Sequence, residues 1–163
     1  MANPKRICWE TSCFIASFNE EPGRVEVCNA ILEATKKGEV ELYTSFITVC
    51  EWVKIKGEYA SEAEDTIAEF LRNPFIHLVV IDWSISRITR SLVRTYKLDV
   101  RDAVHLATAI KLKVDALHTY DSDDLLKLNG KIPDVKIKIS EPTYDFQTKM
   151  DANLSQPEEP KEK

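Results

Sequence analysis

Glycine is scarce in this chain of 163 residues, and the few glycines lie far apart. They occur at positions Gly23, Gly38, Gly57 and Gly130. The sequence therefore contains no GxGxxG, Walker A or GxSxG pattern. This excludes the commonest glycine-rich phosphate-binding loops and the nucleophile elbow of the α/β-hydrolases.

Patterns of zinc ligands are also missing. The three histidines, His77, His105 and His118, are widely spaced, and no HExxH or Cys/His zinc pattern occurs. The cysteines all lie in the first third of the chain, at Cys8, Cys13, Cys28 and Cys50. Because a chain of this length folds without disulfides, we expect reduced and mostly buried thiols.

Long apolar runs and strong basic character are absent as well. No run approaches the roughly 18 apolar residues of a membrane span, and Glu10 interrupts any signal-peptide core after Lys5 and Arg6. A net charge of -5 argues against a heavily basic nucleic-acid coat protein. With 44% hydrophobic residues, the sequence predicts one globular domain in the cytoplasm without membrane association.

Strand and helix patterns alternate along the chain, which predicts an α/β domain with a mainly parallel sheet. The predicted strands are residues 7–9, 41–44, 77–81, 116–119 and 135–139, with 77–81 as the clearest buried strand. The predicted helices are residues 25–37, 61–72, the segment through Tyr96 capped by Asp82 or Ser84, and 99–113. A further segment, 46–59, begins at a cap formed by Ser45 or Thr48.

The composition changes after residue 140. Residues 141–163 contain six acidic and three basic side chains, together with three prolines. We therefore expect a domain over residues 1–140 and an acidic, partly disordered C-terminal extension over residues 141–163. Tyr144 and Phe146 are candidates for packing back on the domain.

Four carboxylates fall near the predicted carboxyl ends of strands, where ligands gather in open parallel α/β sheets. Glu10 ends the first strand, Glu51 follows the second, Asp102 lies in the first turn of a helix, and Asp121 ends the fourth strand. Crowded carboxylates repel one another unless a cation holds them together. Oxygen ligands suit Mg²⁺ or Mn²⁺, and such an ion can activate water for phosphodiester hydrolysis.

Each carboxylate also has an ordinary structural explanation. Glu51 fits an exposed helix position, and Asp102 fits the positive end of its helix. Asp121 and Asp123 fit a turn. His105 shares a helix face with Asp102, and a packed or hydrogen-bonded histidine is favoured over a general base.

Four segments resemble the PIN domains, and most closely the VapC-type toxin ribonucleases. They are residues 7–12 (ICWETS), 44–51 (TSFITVCE), 98–109 (LDVRDAVHLATA) and 119–123 (TYDSD). The resemblance covers about residues 5–140, and the motif around Asp102 is its most specific part.

The resemblance implies a three-layer α/β/α fold with a five-stranded parallel sheet and Mg²⁺- or Mn²⁺-dependent cleavage of RNA. By position, Glu51, Asp102 and Asp121 match acids of the metal site, and Asp123 matches a frequent fourth-strand companion. Ser12 and Thr119 match hydroxyls that line the site or orient its acids and water. A homodimer and an antitoxin partner are implied too.

Glu10 departs from the family pattern, which usually has Asp at this position, bound directly to the central metal. The extra methylene displaces the carboxylate by roughly an ångström, a misplacement that costs on the order of a hundredfold in rate. The alternatives are reduced activity, a shift toward Mn²⁺, or no activity. The competing hypothesis is therefore a catalytically weak PIN-fold module that binds RNA or protein.

A narrow basic stripe recurs at helical spacing ahead of Asp102. Its members are Arg87, Arg90, Arg94 and Lys97. Either the stripe binds RNA phosphates, or it is an ordinary solvated helix face.

Overall fold

A computed structural model describes residues 3–144 of the chain. Five parallel strands form one sheet in the order β3-β2-β1-β4-β5. The strands are β1 (Lys5–Trp9), β2 (Val40–Ser45), β3 (Ile76–Val79), β4 (Ala116–His118) and β5 (Lys138–Ser140). The predicted α/β fold with a five-stranded parallel sheet is confirmed.

Six α-helices connect the strands. They are α1 (Thr11–Phe18), α2 (Val25–Lys36), α3 (Ile47–Glu51), α4 (Ser61–Leu71), α5 (Trp83–Tyr96) and α6 (Val100–Leu112). A short 3₁₀ helix, Leu126–Leu128, precedes β5. No helix among residues 3–144 is both long and apolar enough to cross a membrane.

The core has two halves, because successive side chains of a strand point to opposite faces of the sheet. In the central strand, Ile7 and Trp9 pack with α1, α2 and α4. Cys8 between them packs on the other side, with α5 and α6. The sheet is therefore covered by helices on both faces, which gives the predicted three layers.

Aspartate side chains cap the starts of α5 and α6, at the predicted cap Asp82 and at Asp99, where a helix was predicted to begin. The Asp82 side chain accepts a hydrogen bond from the Ile85 amide at 2.8 Å, and Asp99 accepts one from the Arg101 amide at 2.9 Å. Such N-caps satisfy amide groups that have no partner within the helix. Cys8, Cys13 and Cys28 are buried free thiols and Cys50 is an exposed one, as expected of reduced and mostly buried cysteines.

Three predicted elements are wrong in their bounds or burial. The segment 46–59 is helical only over Ile47–Glu51, because Trp52 leaves the helix and is buried in the core. The last strand begins at Lys138 rather than at residue 135, because the pairing with β4 starts with Ala116 opposite Lys138. β3 is an edge strand in which only Ile76 is buried.

Tyr144, near the end of the described residues, packs against the half of the core that contains Trp9. Its hydroxyl donates a hydrogen bond to the Glu39 carboxylate at 3.0 Å. Phe146 and the predicted acidic extension beyond it lie outside the described residues, and the boundary after residue 140 stays a prediction.

Candidate active site

The sheet order places a topological switch point between β1 and β4. From β1 the chain moves outward to β2 and β3, and it then returns to the other side of β1 for β4 and β5. Open α/β sheets bind ligands at the carboxyl ends of strands at such a point. Glu10 follows β1 directly, and Asp121 lies three residues beyond β4.

Glu10 is held by hydroxyl and amide donors on both sides of this switch point. Its Oε2 accepts hydrogen bonds from the Ser12 amide and from Thr119 Oγ1, each at 3.1 Å, and from Ser12 Oγ. The residue is only 8% exposed. The two hydroxyls predicted to orient acids of the site therefore both contact Glu10.

The same two hydroxyls also fix the loop after β4. Ser12 Oγ accepts a hydrogen bond from the Tyr120 amide at 3.0 Å, and Thr119 Oγ1 accepts one from the Asp121 amide at 3.0 Å. The start of α1 and the loop that carries Asp121 are thereby tied to each other through Glu10.

Glu51 makes a compact contact with α6 and α1. Its Oε2 lies 2.6 Å from His105 Nε2 and accepts a hydrogen bond from Thr11 Oγ1 at 2.5 Å. Burial alone would raise the pKa of Glu51, but the hydrogen bond and charge of His105 and the Thr11 hydroxyl hold this pKa below its usual value. Glu51 is therefore stabilised as a carboxylate.

His105 is fully buried, and its Nε2 also lies 4.0 Å from Glu10 Oε1. Ligand atoms of Glu10, Glu51 and His105 all lie within 4.8 Å of one another. The histidine is thus packed and hydrogen-bonded, as expected, and the two glutamates of the predicted site converge on it. Its position three residues after Asp102 was the sequence signal for this contact.

A second group of carboxylates consists of Asp102, Asp121 and Asp124, whose oxygens lie within 4.8 Å of one another. Burial, followed by the charges of Asp121 and Glu10, raises the pKa of Asp102 to about 6. Burial and the neighbouring carboxylates therefore both oppose ionisation of Asp102.

Asp123, a predicted member of the site, is exposed and belongs to neither group. Asp121 Oδ1 accepts hydrogen bonds from the Asp123 amide at 3.0 Å and from the Asp124 amide at 3.2 Å. This turn explains why Asp124, rather than Asp123, meets Asp102. The run of acids at 121–124 was visible in the sequence, but the turn that selects among them was not.

Thr11 was also missed by the sequence-based prediction. Besides Glu51, its hydroxyl contacts Thr48 Oγ1 at 3.2 Å and His105 Nε2 at 3.3 Å. A threonine at a helix start has no sequence signature that separates this role from ordinary capping.

The basic stripe lies on α5, which packs against α6. Arg87, Arg90 and Arg94 are exposed. Lys97 differs from them, because its Nζ donates a hydrogen bond to the Arg94 carbonyl at 2.9 Å. That contact places a cation at the negative end of the helix.

The group of three aspartates has the chemistry of a divalent-cation site. Asp102, Asp121 and Asp124 offer only carboxylate oxygens, which suit Mg²⁺ and Mn²⁺. The raised pKa of Asp102 fits the same reading, because a bound cation would relieve the repulsion. The carboxylate set therefore fits such an ion.

Comparison with known proteins identifies the family. The sequence matches the PIN domain over residues 7–131, most of the chain. The chain belongs to the PIN-domain family. The matched range of this PIN domain contains the positions of Glu10, Glu51, Asp102 and Asp121. A search of the curated proteins finds no sequence match.

Solved structures share the fold at low sequence identity. A toxin–antitoxin complex from Klebsiella pneumoniae matches with a TM-score of 0.61 and 23% identity, over 84% of this chain and 98% of that chain. VapBC2 from Rickettsia felis, bound to a DNA fragment from its promoter, matches with a TM-score of 0.60 and 15% identity, over 82% of this chain and 98% of that chain. The sarcin–ricin loop cleaving toxin VapC20 of Mycobacterium tuberculosis matches with a TM-score of 0.58 and 17% identity, over 72% of this chain and 91% of that chain.

Proposed function

We propose that this PIN domain is a metal-dependent endoribonuclease and the toxin of a toxin–antitoxin pair. The observation that carries the proposal is the group of Asp102, Asp121 and Asp124 at the switch point of the sheet. Burial, followed by the negative charges of Asp121 and Glu10, raises the pKa of Asp102 to about 6. Such a group is suited to a divalent cation and to the chemistry of phosphodiesters.

Asp102, Asp121, Asp124 and the Oε1 atom of Glu10 are the proposed ligands of Mg²⁺ or Mn²⁺. The role that the sequence predicts for Asp123 stays a prediction, and the geometry favours Asp124 in its place. A divalent cation bound there supplies activation of water and neutralises charge on the scissile phosphate.

The remaining residues of the site have positioning roles in this proposal. Ser12 and Thr119 hold one oxygen of Glu10, which leaves the other free of them. His105 and Thr11 hold Glu51 as a carboxylate beside Glu10. Glu51 adds negative charge to the site, and its role as a metal ligand would require it to leave His105 or to share its oxygens.

Similar structures support the proposed substrate and partner. One is a toxin–antitoxin complex, another is VapBC2, and a third cleaves the sarcin–ricin loop. We therefore propose an RNA substrate and an antitoxin protein as partner. The homodimer implied by the family resemblance and the cytoplasmic location expected from the sequence belong to the same proposal. Phosphates of the RNA would contact Arg87, Arg90 and Arg94 of the basic stripe, with Lys97 at its end.

The test is incubation of purified protein with a mixed tRNA and rRNA substrate in Mg²⁺, in Mn²⁺ and in chelator. We expect discrete cleavage products with a divalent cation and none in chelator. Cleavage that continues unchanged in chelator would contradict the role of the metal. Correctly folded protein that cuts under none of these conditions would contradict the nuclease.

A second candidate function is a PIN-fold module that binds RNA or protein and cuts weakly or not at all. Two observations favour it: Glu10 replaces the usual aspartate, and Glu51 is engaged by His105 at 2.6 Å. Under this hypothesis Glu10→Asp raises cleavage at least tenfold above a near-zero parent. A parent that already cuts efficiently would rule it out.

A further inference from the structure

An exposed indole lies at the start of α5, beside the arginines of the basic stripe. Trp83 is 72% exposed, whereas Trp9 and Trp52 are almost fully buried in the core. Exposure of a single large side chain is common and does not by itself mark a site. The surroundings of this indole distinguish it.

Trp83 lies at one end of a groove of about 420 Å³ along α5. The groove is lined by Trp83, Arg87, Arg90, Ser91, Arg94 and Thr95. None of these six residues is acidic. The groove therefore combines a flat aromatic surface with three positive charges and two hydroxyls.

The arginines of the groove have no carboxylate partner among the described residues. Elsewhere in residues 3–144, three arginines form ion pairs, namely Arg6 with Glu41, Arg24 with Glu21 and Arg101 with Asp99. Unpaired arginine side chains in a groove without acids are complementary to an anionic ligand.

The groove starts on the same edge of the sheet as the carboxylates. Only three residues separate the carboxyl end of β3 from Trp83, and α5 packs against α6, whose first turn carries Asp102. An RNA strand on its way to a site of crowded carboxylates needs compensating positive charge nearby, and α5 provides it.

We propose that this groove binds single-stranded RNA, with a base stacked on Trp83 and neighbouring phosphates held by Arg87, Arg90 and Arg94. This inference rests on the proposed ribonuclease function and adds to it Trp83, a residue outside the carboxylate site that would stack on an unpaired base of the substrate. Bases stack on an aromatic side chain only where they are free of a helix, and an arginine row can follow the backbone of such a strand.

The first measurement uses the intrinsic fluorescence of the full chain with Asp102→Asn in chelator, so that RNA is not cut. In the free protein, acrylamide should quench one accessible tryptophan, since Trp9 and Trp52 are buried. Addition of a 12-nucleotide adenine RNA should quench the same emission to saturation. A free protein without accessible tryptophan would show that a protein surface, such as a second copy, covers the groove, and would overturn the proposal.

The second measurement is binding of the same RNA, carrying a fluorescent label, by anisotropy. We expect Trp83→Ala to weaken binding about fivefold or more and Trp83→Phe to restore most of it, because phenylalanine still stacks. A 12-base-pair RNA duplex should bind more weakly than the single strand and should be indifferent to Trp83→Ala. Equal binding of the single strand by Trp83→Ala and its parent would overturn the proposal.

The arginines are tested by salt dependence. Replacement of Arg90 and Arg94 by alanine should reduce the slope of log affinity against log salt by about 1.4, since each phosphate contact on a single strand contributes about 0.7. Arg72→Ala is the matched control, because Arg72 is exposed and precedes the amino end of β3, whereas the groove begins beyond the carboxyl end of that strand. An unchanged slope in the double variant would show that Arg90 and Arg94 do not bind the phosphates of the RNA, and would overturn that part of the proposal.

The outcomes separate this proposal from the nuclease. If the wild-type chain cuts RNA while Trp83→Ala binds the single strand as tightly as its parent, the groove is refuted and the nuclease stands. If Trp83 responds to RNA as described but the wild-type chain never cuts, the nuclease is refuted and the groove stands.

Discussion

At the scale of single residues, Asp102 is a carboxyl group of the candidate site whose surroundings oppose its ionised form. Burial and the charges of Asp121 and Glu10 raise its pKa to about 6, against an ordinary value near 4. Between these two values the native state binds more protons at Asp102 than the unfolded state does. The native state is therefore destabilised as the pH rises through this window.

This shift predicts a pH-dependent effect of Asp102→Asn on stability in chelator. Asparagine resembles the neutral carboxyl and does not titrate, so the variant should gain melting temperature relative to wild type at pH 7.5. The gain should be smaller at pH 4.5, where Asp102 in the native protein is itself protonated. Thermal unfolding at both pH values measures the difference, with Asp65→Asn on α4 as a control of equal charge change. An equal gain at the two pH values would contradict the raised pKa of Asp102.

Asp123 and Asp124 give a second test at this scale. Only Asp124 lies within 4.8 Å of the ligand atoms of Asp102 and Asp121. Asp124→Asn should therefore weaken Mn²⁺ binding by at least about tenfold, and Asp123→Asn should weaken it much less. Titration calorimetry with Mn²⁺ compares the two variants. The reverse order of effects would return the ligand role to Asp123, as the sequence predicted.

At the scale of secondary-structure elements, α6 connects the two groups of the site. It carries Asp102 in its first turn and His105 one turn later, and His105 contacts Glu51 on α3. A helix of five residues such as α3 does not form on its own. Its position depends on contacts such as this one and the hydrogen bond between Thr44 and Thr48 at 2.8 Å.

We therefore expect His105→Ala to lower the free energy of unfolding by about 2 kcal/mol or more, since it leaves a cavity and takes the histidine partner from the half-buried Glu51 carboxylate, which keeps its hydrogen bond from Thr11. His105→Gln, which keeps a donor, should cost less. Urea unfolding of both variants, combined with Glu51→Gln in a double-mutant cycle, isolates the contact from the cavity. A coupling energy near zero would show that His105 and Glu51 do not depend on each other.

Most helices could be predicted from the sequence because their ends carry local signals. Asp82 and Asp99 cap α5 and α6, and Lys36, Lys37 and Gly38 mark the end of α2. The failures lie where distant contacts decide. The length of α3 depends on burial of Trp52, and the start of β5 depends on its register with β4.

At the scale of the whole molecule, the order of the strands decides which acids meet. The sequence places Glu10, Glu51, Asp102 and Asp121 near strand ends, but it does not show that they divide between His105 and Asp124. That division depends on a turn at Asp121 and on the burial of His105 between elements far apart in the chain. Local patterns carry no information about such contacts. The sequence therefore predicts which acids lie near strand ends, but not which of them contact one another.

The central claim is that the carboxylates around Asp102 perform phosphodiester hydrolysis, and one comparison tests it most directly. Cleavage of a labelled RNA by the wild-type chain, by Asp102→Asn and by Asp65→Asn is followed in Mn²⁺, with circular dichroism to confirm that all three are folded. We predict that wild type and Asp65→Asn cut at similar rates and that Asp102→Asn shows at least a hundredfold loss. Cleavage by folded Asp102→Asn at the wild-type rate would contradict the account.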